Sequence, residues 1–554
     1  MNKRPRILQD NYFLIVVFSS LLIAVLLAWA TRDIRCWPSD SCRTYIPAAS
    51  RLSEITFPSQ MHGLLAHDLA RWNMRGKEVL IYGIAFFQGL FNDRQGLYPN
   101  VLLLIGCLFI CAVVAYLNLK NLLDSPAALL GAGLLMTCFS PHMYALLGAH
   151  QPLVLMNFLL TVFFMCISRR RNIFFLLAGV CLGLMFFSSP TAFLYLPYLA
   201  GVAWWLYRPG GTGRGDLRVL TGNLVFFFCG ATGVFLFFTL PHPWVYLMQF
   251  KRYLLLSQAG NHFGFYFSDL KNIFPVSGVF RGGGWPWVLK YFMLVMPVVF
   301  AGYLVGILYL FKEGLHKKEL IGLALITLST PFAVEISQVA QFGRNYFSWL
   351  VGIIFLVTYV FYLFKRGLRQ NGGRRKLIAA AAVFFLAHAV FNVRVFLREI
   401  YPTRMATARL YRWLKDNNVR KVLAYREHFN NLFAVDVLSV PPSREKIRVF
   451  GIGHIRQPRQ GLIIVPPLSG NNIWQDCVRD DFAADPFLLE LYQSGQLHKY
   501  AVAMFKPVIT SRIWTQEEEV CTYRDLMLGH MPDYDNPKNY IYVLDAARIP
   551  RAWP

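Results

Sequence analysis

A single carboxylate stands between two cysteines in the short stretch RCWPSDSC, residues 35–42, where Asp40 lies between Cys36 and Cys42. An aspartate can act as a general base when it is held within hydrogen-bonding distance of a nucleophile. A disulfide between Cys36 and Cys42 would close a small loop and restrict the movement of Asp40. The stretch therefore predicts a carboxylate whose movement is restricted.

Other interpretations of this stretch stay open. Asp40 or Ser41 can cap the helix that is predicted to follow, because Asp and Ser are favoured at helix N-caps. Asp33 and Asp68 are competing carboxylates: Asp33 is closer to the preceding apolar run, and Asp68 is next to His67.

The composition is that of a membrane protein. The chain has 554 residues, of which 56% are hydrophobic and 15% charged, whereas about a quarter of the residues are charged in soluble domains. Apolar runs of about 17 to 25 residues, long enough to cross a bilayer, recur through residues 1–393. Residues 394–554 instead alternate short apolar and polar stretches, which indicates a water-soluble domain. The first run lacks a clear cleavage site, which favours an uncleaved anchor.

The charge pattern predicts the topology. The net charge of +25 comes mainly from basic residues at the ends of the apolar runs, which favours the positive-inside rule over nucleic-acid binding. With the N-terminus inside, four of the five even-numbered spans are followed by basic loops. We therefore predict about eleven transmembrane helices. The spans lie near residues 12–30, 98–118, 126–147, 152–167, 173–188, 189–207, 219–240, 288–311, 319–337, 346–364 and 377–393.

This topology places the loops 31–97 and 241–287 and the C-terminal domain outside. The four cysteines that lie away from the spans all fall on this side, as two sets of two, Cys36 with Cys42 and Cys477 with Cys521. Such a distribution is typical of disulfides in an oxidising compartment, although four thiols are the alternative. No Asn-x-Ser/Thr sequon occurs, which favours a bacterial periplasm. The expected location is thus the inner membrane, with a cytoplasmic N-terminus.

The polar residues of the membrane part are concentrated in the two outer loops. Loops longer than about 15 residues in a compact protein are usually functional, and these two are far longer. Ionisable residues inside the predicted spans are few, with Glu335 and His388 the clear cases, and His388 is interpreted as a packed histidine. This pattern favours an outward-facing site at the membrane surface over a transport path.

Six segments, in chain order, carry a family resemblance. They are DSCRTYIPAASRL with Asp40 and Tyr45, GKEVLIYGIAFFQGLF with Lys77, GAHQPLVLMNF with His150, LMFFSSPTAF with Ser189, GGGWPWVLKYFMLVMPVV, and FGRNYFSWLVGIIFL with Arg344 and Tyr346. Their order resembles the GT-C glycosyltransferases, most closely the bacterial members related to aminoarabinose transferase and to protein O-mannosyltransferases. Those enzymes take a sugar from a polyprenyl phosphate.

The resemblance implies roles for these residues. Asp40 is the expected base, Lys77 and Arg344 are the expected phosphate contacts, and Tyr45, Tyr346 and His150 belong to the expected substrate site. The chain also departs from the family pattern. Ser41 replaces a second acid, His150 and Gln151 stand where an Asp is usual, and Ser189 or Pro190 stands where a Lys is common.

The second outer loop and the histidines add weaker candidates. Arg252 and His262 lie among aromatic residues and suit a contact with a lipid phosphate or a sugar, or an interfacial helix. Some GT-C enzymes use a divalent metal ion, and His62 and His67 are the candidates in HGLLAHD. Their spacing matches no metal-ligand signature. A nucleotide-binding loop is not evident either, which agrees with a lipid-linked donor.

The terminal domain is predicted to be α/β. A helix in TRMATARLYRWLKDN is followed by short buried strands in RKVLAY, KIRVFGI, GLIIVPP, YAVAMF and YIYVLD. Its expected role is acceptor binding or shielding of the membrane site.

Together these features predict a membrane glycosyltransferase of the GT-C type. It would transfer a sugar from a polyprenyl-phosphate donor to a cell-envelope glycolipid, polysaccharide or protein. The alternatives are a transporter or flippase of the lipid-linked sugar, and a non-catalytic GT-C-like binding subunit.

Overall fold

The computed structural model contains a bundle of apolar helices and a small five-stranded sheet. It describes residues 10–34, 45–53, 77–92, 97–168, 173–207, 217–241, 243, 292, 296–313, 343–368, 373–397, 401, 405–424, 448–451, 461–465, 494, 496–505 and 540–549. The bundle helices are α1 Asn11–Ala30, α2 Ile46–Ser53, α3 Glu78–Phe91, α4 Tyr98–Leu122, α5 Ser125–Thr137, α6 Phe139–Leu146, α7 Gln151–Ile167, α8 Ile173–Phe186, α9 Leu196–Tyr207, α10 Leu217–Thr239, α11 Pro297–Glu313, α12 Gly343–Gly367 and α13 Gly373–Val395. A 3-10 helix, Pro190–Tyr195, connects α8 and α9.

Helices occupy ten of the eleven predicted spans, and the span near 319–337 lies outside the described residues. The predicted number of about eleven crossings is not confirmed. Within the described ranges, four helices are long and apolar enough to cross a membrane, or five if the bent pair α5 and α6 is one span. In the other apolar helices the apolar segments have 10–17 residues, and a 17-residue segment is only about 26 Å long, less than the bilayer's hydrocarbon core.

The outer surface of the bundle is apolar, as lipid contact requires. On α1, Phe18 and Trp29 are 66% and 65% exposed, whereas Val16 on the opposite face is completely buried. The inner faces pack as an interlocked core, in which the buried Trp349 of α12 contacts Phe292 edge to face with 4.7 Å between ring centroids. Burial of one face and exposure of another apolar face is typical of a helix between protein and lipid.

Polar contacts fix which helix ends lie together. Asp10, just before α1, accepts hydrogen bonds from Lys120 and Tyr116 of α4. Lys365 of α12 forms an ion pair of 2.8 Å with Asp124, which caps α5. We call this end of the bundle the Asp10 end. It joins the start of α1, the end of α4, the start of α5 and the end of α12, as the predicted alternation requires.

The opposite end of the bundle, which we call the Ala30 end, carries the C-terminal part of the chain. Tyr98 of α4 and Tyr401 donate hydrogen bonds to the carbonyl oxygens of Ala28 and Ala30, at 3.1 and 3.0 Å. These contacts place the C-terminal part at the end of the bundle opposite to Asp10, and the predicted multi-pass topology stays a prediction. Which end faces the cytoplasm stays a prediction.

Helix α13 stabilises the break between α5 and α6, which bends the pair by 42°. The side chain of Asn392 accepts a hydrogen bond of 2.9 Å from the backbone N–H of Phe139, at the start of α6. His388, one turn earlier, contacts the carbonyl oxygen of Leu134 through Nε2 at 3.2 Å. Both side chains are buried, so the interpretation of His388 as a packed histidine is confirmed.

The predicted strands of the C-terminal part are confirmed. They are β1 Lys421–Ala424, β2 Arg448–Gly451, β3 Leu462–Val465, β4 Ala501–Phe505 and β5 Ile541–Asp545, and the helices with them are α14 Ala406–Asp416 and α15 Leu497–Tyr500. The sheet order is β2-β1-β3-β5-β4. β1 pairs in parallel with β2 and β3, and β5 pairs antiparallel with β3 and β4.

The sheet has its own apolar core, formed with α14. Leu410 and Leu414 pack on Val422, Ile464 and Val543. Leu147, in the turn between α6 and α7, also packs against this cluster. The sheet therefore lies over the Ala30 end of the bundle. The domain boundary near residue 394 stays a prediction.

Candidate functional site

Three polar side chains from distant parts of the sequence meet at the Ala30 end. The Nζ atom of Lys77 lies 2.9 Å from Nδ1 of His150 and 2.9 Å from Oγ of Ser189. Lys77 and His150 are substrate-site candidates from the sequence, and Ser189 occupies the place of a Lys in the family pattern. We call these three residues the Lys77 cluster.

With Lys77 charged, the contact determines which ring nitrogen of His150 accepts the hydrogen bond. A charged lysine ammonium has three N–H donors and no acceptor, so Nδ1 of His150 must accept the hydrogen bond. His150 is then neutral and carries its proton on Nε2. Ser189 accepts a second hydrogen bond from the ammonium and keeps its own hydroxyl proton for another acceptor.

The cluster sits at the N-terminal ends of two helices. Lys77 is the N-cap residue of α3, and His150 is the N-cap residue of α7, with Pro152 in its first turn. Neither cap side chain bonds the helix backbone. Each helix N-terminus carries partial positive charge, and an added ammonium costs about 0.3–1 kcal/mol at such a position. A bound anion would offset this repulsion, because negative charge is favoured both near helix N-termini and near an ammonium.

Buried backbone and side-chain contacts hold the cluster in place. The N–H of Val79 in α3 donates to the carbonyl oxygen of Phe187, at 3.0 Å, which ties the start of α3 to the end of α8. Asn157 of α7 donates to Oγ of Ser188 at 3.4 Å. Ser188 and Ser189 are fully buried. The turn after α8 is thus fixed on both sides, and Ser189 is aimed at Lys77.

Two further polar residues border the cluster. Gln151 is 5% exposed, and its Oε1 atom has no hydrogen-bond partner in this part of the structure. Glu78, the first residue of α3, is completely buried. Burial, with a smaller contribution from the charge of Glu78, raises the pKa of Tyr82 to about 12. Tyr82 therefore stays protonated and can donate a hydrogen bond at physiological pH.

Apolar packing under α3 forms the base of the site. Tyr45, at the start of α2, is 4% exposed and packs in one cluster with Leu52, Leu80 and Ile81. Helix α3 turns other apolar side chains outward, and Phe86 is 68% exposed. Such exposed apolar side chains are typical of a helix that lies in the membrane interface. A substrate contact by Tyr45 stays a prediction.

The competing carboxylate Asp33 forms its ion pair with a residue outside the Lys77 cluster. It follows α1, its side chain is 46% exposed, and it forms an ion pair with Arg412 of α14. Arg344 and Tyr346 lie in the first two turns of α12, and their side chains are outside the described residues. The other predicted site residues also lie outside them. These are Asp40, Asp68, His62, His67, Arg252, His262, Cys36, Cys42, Cys477 and Cys521.

The described part of the site does not suit a metal ion. Among the described residues, no three His, Cys, Asp or Glu side chains come together. In addition, the ammonium of Lys77 occupies the Nδ1 side of His150 and would repel a divalent cation there. A metal held by His62 and His67 stays a prediction.

Some residues of the site are not evident from the sequence. Asn157 and Ser188 lie inside predicted apolar spans and appear only as isolated polar residues. Glu78 follows Lys77 directly, so its place next to Lys77 at a predicted helix start is the one sequence feature that could have marked it as a site residue. Its complete burial depends on the packing of α2 and α4 against α3.

Comparison with known proteins gives structural neighbours only. No family model matches the chain, and no curated protein matches it. One neighbour is a crystal structure of the Archaeoglobus fulgidus oligosaccharyltransferase in complex with Zn and sulfate, with 14% identity and a TM-score of 0.44, covering 67% of this chain and 53% of that one. This chain thus spans about half the length of that structure.

Two more structures of the same archaeal protein are similar to this chain. The complex of oligosaccharyltransferase AglB with an inhibitory peptide and a dolichol-phosphate has 13% identity and a TM-score of 0.41, covering 72% of this chain and 58% of that one. The form tethered to an acceptor peptide that contains the NVT sequon has 12% identity and a TM-score of 0.45, covering 92% and 77%. The predicted relation to aminoarabinose transferase and protein O-mannosyltransferases stays a prediction.

Proposed function

We propose that this protein is a membrane glycosyltransferase of the GT-C type. It transfers a sugar from a polyprenyl-phosphate donor to a cell-envelope acceptor, which is a glycolipid, a polysaccharide or a protein. The proposal places the Ala30 end on the outer face of the inner membrane and the N-terminus in the cytoplasm.

The observation that carries this proposal is the Lys77 cluster. Its ammonium lies at the positive ends of α3 and α7 and is held by His150 and Ser189. Such a place suits a phosphate, because cations and helix N-termini both stabilise an anion. The cluster lies at the end of an apolar bundle, so a phosphate joined to a lipid chain suits it better than a soluble phosphate.

In the proposed reaction, Asp40 removes the proton from an acceptor hydroxyl or amine as that group attacks the anomeric carbon of the donor sugar. The bond between the anomeric carbon and the phosphate oxygen breaks, and the polyprenyl phosphate leaves with the bonding electrons. Lys77 stabilises the negative charge that develops on this phosphate. Arg344, at the start of α12, is the proposed second cation, since Arg suits a bidentate contact with phosphate oxygens.

The C-terminal sheet is proposed to bind the acceptor or to shield the site from water. Its position supports this role, because Leu147, in the turn that leads into His150, packs against its core. A metal ion is not required by the contacts of the Lys77 cluster, and the proposed steps use none.

The test is a transfer assay with purified protein in nanodiscs. Radiolabelled polyprenyl-phosphate sugars are mixed with membrane extract, and transfer is compared between wild type, Lys77→Gln and Asp40→Asn. We expect wild type to transfer label, Lys77→Gln to lose roughly 10²–10³-fold in rate, as when one transition-state donor is removed, and Asp40→Asn to lose at least as much.

Asp33→Asn is the matched control for Asp40→Asn. Asp33 is a partly exposed ion-pair member, so its loss should cost about 0–1 kcal/mol of stability and leave transfer intact. Transfer that survives in Asp40→Asn would move the base to Asp33 or Asp68. Donor binding without transfer from any donor would contradict the enzyme and favour a transporter or a non-catalytic binding subunit.

A further inference from the structure

The side-chain amide of Gln151 is enclosed at the start of α7. Gln151 is 5% exposed, and its Oε1 atom has no hydrogen-bond partner in the part of the chain that the structure describes. An amide oxygen that is removed from water without a partner destabilises a fold, so few such atoms occur in native proteins. The missing donor is one that a bound ligand can supply.

The backbone of Gln151 offers the complementary group. Gln151 is the first residue of α7, so its N–H has no acceptor within the helix. The next residue, Pro152, has no N–H. The N–H groups of Leu153 and Val154 both donate to the carbonyl oxygen of His150, at 3.1 Å. Gln151 thus adds one donor and one acceptor to this helix end, and a hydroxyl group, which can accept one hydrogen bond and donate another, matches this pair.

The turn before α7 holds Gln151 beside the Lys77 cluster. His150 contacts Lys77 through Nδ1 at 2.9 Å, and Gln151 is the next residue in the chain. Gly148 has a φ of 68°, a conformation that favours glycine. The side chain of Asn100 donates a hydrogen bond of 3.0 Å to the carbonyl oxygen of Gly148. These features fix the turn, so the start of α7 is in place before a ligand binds.

The sugar of the donor is the part that lies next to its phosphate. In the proposed function the phosphate binds at Lys77, and the anomeric carbon of the sugar is joined to that phosphate. The adjacent sugar carbon therefore carries the hydroxyl that is nearest to the phosphate along the sugar ring. A neutral amide suits this place better than a carboxylate, because a second negative charge would repel the phosphate.

We infer that Gln151 recognises the hydroxyl on the sugar carbon next to the anomeric carbon, which donates a hydrogen bond to Oε1. The inference rests on the proposed function and adds the residue that selects the sugar. A site that bonds a substrate hydroxyl through buried polar groups rejects the analogue without it, because those groups are then left without partners. In glycoside chemistry, hydrogen bonds to this hydroxyl also strengthen in the transition state.

The test compares donors with and without this hydroxyl. Undecaprenyl phosphate glucose and undecaprenyl phosphate mannose carry it in its two orientations. The deoxyglucose donor in which a hydrogen replaces it is the analogue of both. Binding of these three lipids and of undecaprenyl phosphate is measured in nanodiscs for wild type and Gln151→Met. We expect wild type to bind the glucose or the mannose donor about tenfold or more tightly than the deoxyglucose donor. Gln151→Met should bind all three alike, and undecaprenyl phosphate, which has no sugar, should bind both proteins equally.

Gln88→Met is the matched control. Gln88 of α3 is completely buried, and neither atom of its side-chain amide has a partner within the described ranges. It lies three helical turns from Lys77, however, which is about 16 Å along α3. Replacing either glutamine by methionine removes a buried polar group and keeps the side-chain length, so both variants should melt at or above the wild-type temperature. Only Gln151→Met should lose the preference for a hydroxyl.

The binding results separate this inference from the proposed function. If wild type binds undecaprenyl phosphate but binds the glucose, mannose and deoxyglucose donors equally, the inference is overturned and the headgroup site at Lys77 stands. A preference that persists in Gln151→Met, or that Gln88→Met loses as well, would also overturn the inference. Wild type that binds none of these lipids would overturn the proposed headgroup site, and the inference with it.

Discussion

The ammonium nitrogen of Lys77 lies 2.9 Å from Nδ1 of His150, although 73 residues separate them in the sequence. The contact joins an interfacial helix to the start of a bundle helix. Because both residues are helix N-caps, the positions of two helix N-termini and one cation are fixed together.

The two partners of Lys77 should differ in their effect on transfer. In His150→Ala, Lys77 loses an acceptor and a neighbouring side chain, so we expect transfer to fall about tenfold or more, the equivalent of one hydrogen bond to a charged group. Ser189→Ala removes the other acceptor but little side-chain volume, and should reduce transfer by less than His150→Ala does. Apparent donor affinity and turnover are measured for each variant in the transfer assay. A His150→Ala protein with wild-type affinity and rate would contradict a role of His150 in placing Lys77.

The Asp10 end should make stability depend on pH. Burial raises the pKa of Asp10, but hydrogen bonds from Lys120 and Tyr116, together with the charge of Lys120, outweigh it and hold the pKa below the ordinary value of 3.8. A carboxyl with a lowered folded-state pKa stabilises the fold above its unfolded pKa. This stabilisation is lost as the pH falls from about 4 through the folded pKa.

Asp10→Asn tests this dependence. The variant should melt at a lower temperature than wild type at neutral pH, by the equivalent of about 1–3 kcal/mol, and the difference should shrink as the pH falls below 4. Melting curves in detergent between neutral and acidic pH provide the measurement. A difference that stays constant down to the lowest pH would show that the carboxylate charge does not stabilise the fold.

The packing of α8 on α10 should not tolerate a side chain at position 179. A Cβ atom on Gly179 would overlap a backbone carbonyl oxygen, which cannot rotate away. Gly179→Ala should therefore destabilise the protein by about 1–3 kcal/mol, the usual cost of overpacking, measured as a lower melting temperature. Gly233→Ala, which meets open space, is the control and should melt like wild type. Equal melting of the two variants would contradict the close approach.

The break between α5 and α6 should depend on Asn392. Replacing it with Leu leaves the buried N–H of Phe139 without its acceptor, which costs about 1–3 kcal/mol. Val393→Ala changes the next residue, whose side chain is 49% exposed, and should have an effect within about 0.5 kcal/mol. Thermal unfolding of both variants in the same detergent compares them. If Asn392→Leu melts no lower than Val393→Ala, the break holds without this hydrogen bond.

Local sequence patterns predicted most helices and strands. The span near 12–30 appears as Asn11–Ala30, and the strand in GLIIVPP appears as Leu462–Val465. Long apolar runs must form helices, because unpaired backbone groups are too costly in lipid. Short apolar runs between turn residues similarly predict buried strands.

Features that depend on distant residues were not predictable in this way. The region 126–147 reads as one apolar span, yet it is bent at Cys138, where Asn392 supplies the acceptor from 253 residues away. The burial of Glu78 likewise depends on α2 and α4, and its sequence neighbours suggest an exposed helix start. Neither the bend nor this burial is marked by a periodic pattern or a motif in the neighbouring sequence.

The sequence by itself determined the membrane class, the positions of most helices and strands, and the identity of Lys77 and His150 as candidates. These follow from hydrophobicity and from motif order, which are properties of short segments. Only the tertiary structure decided that Lys77, His150 and Ser189 meet at two helix N-termini and that the sheet lies over the Ala30 end. Such relationships depend on how close packing brings distant segments together, and short-range patterns do not encode them.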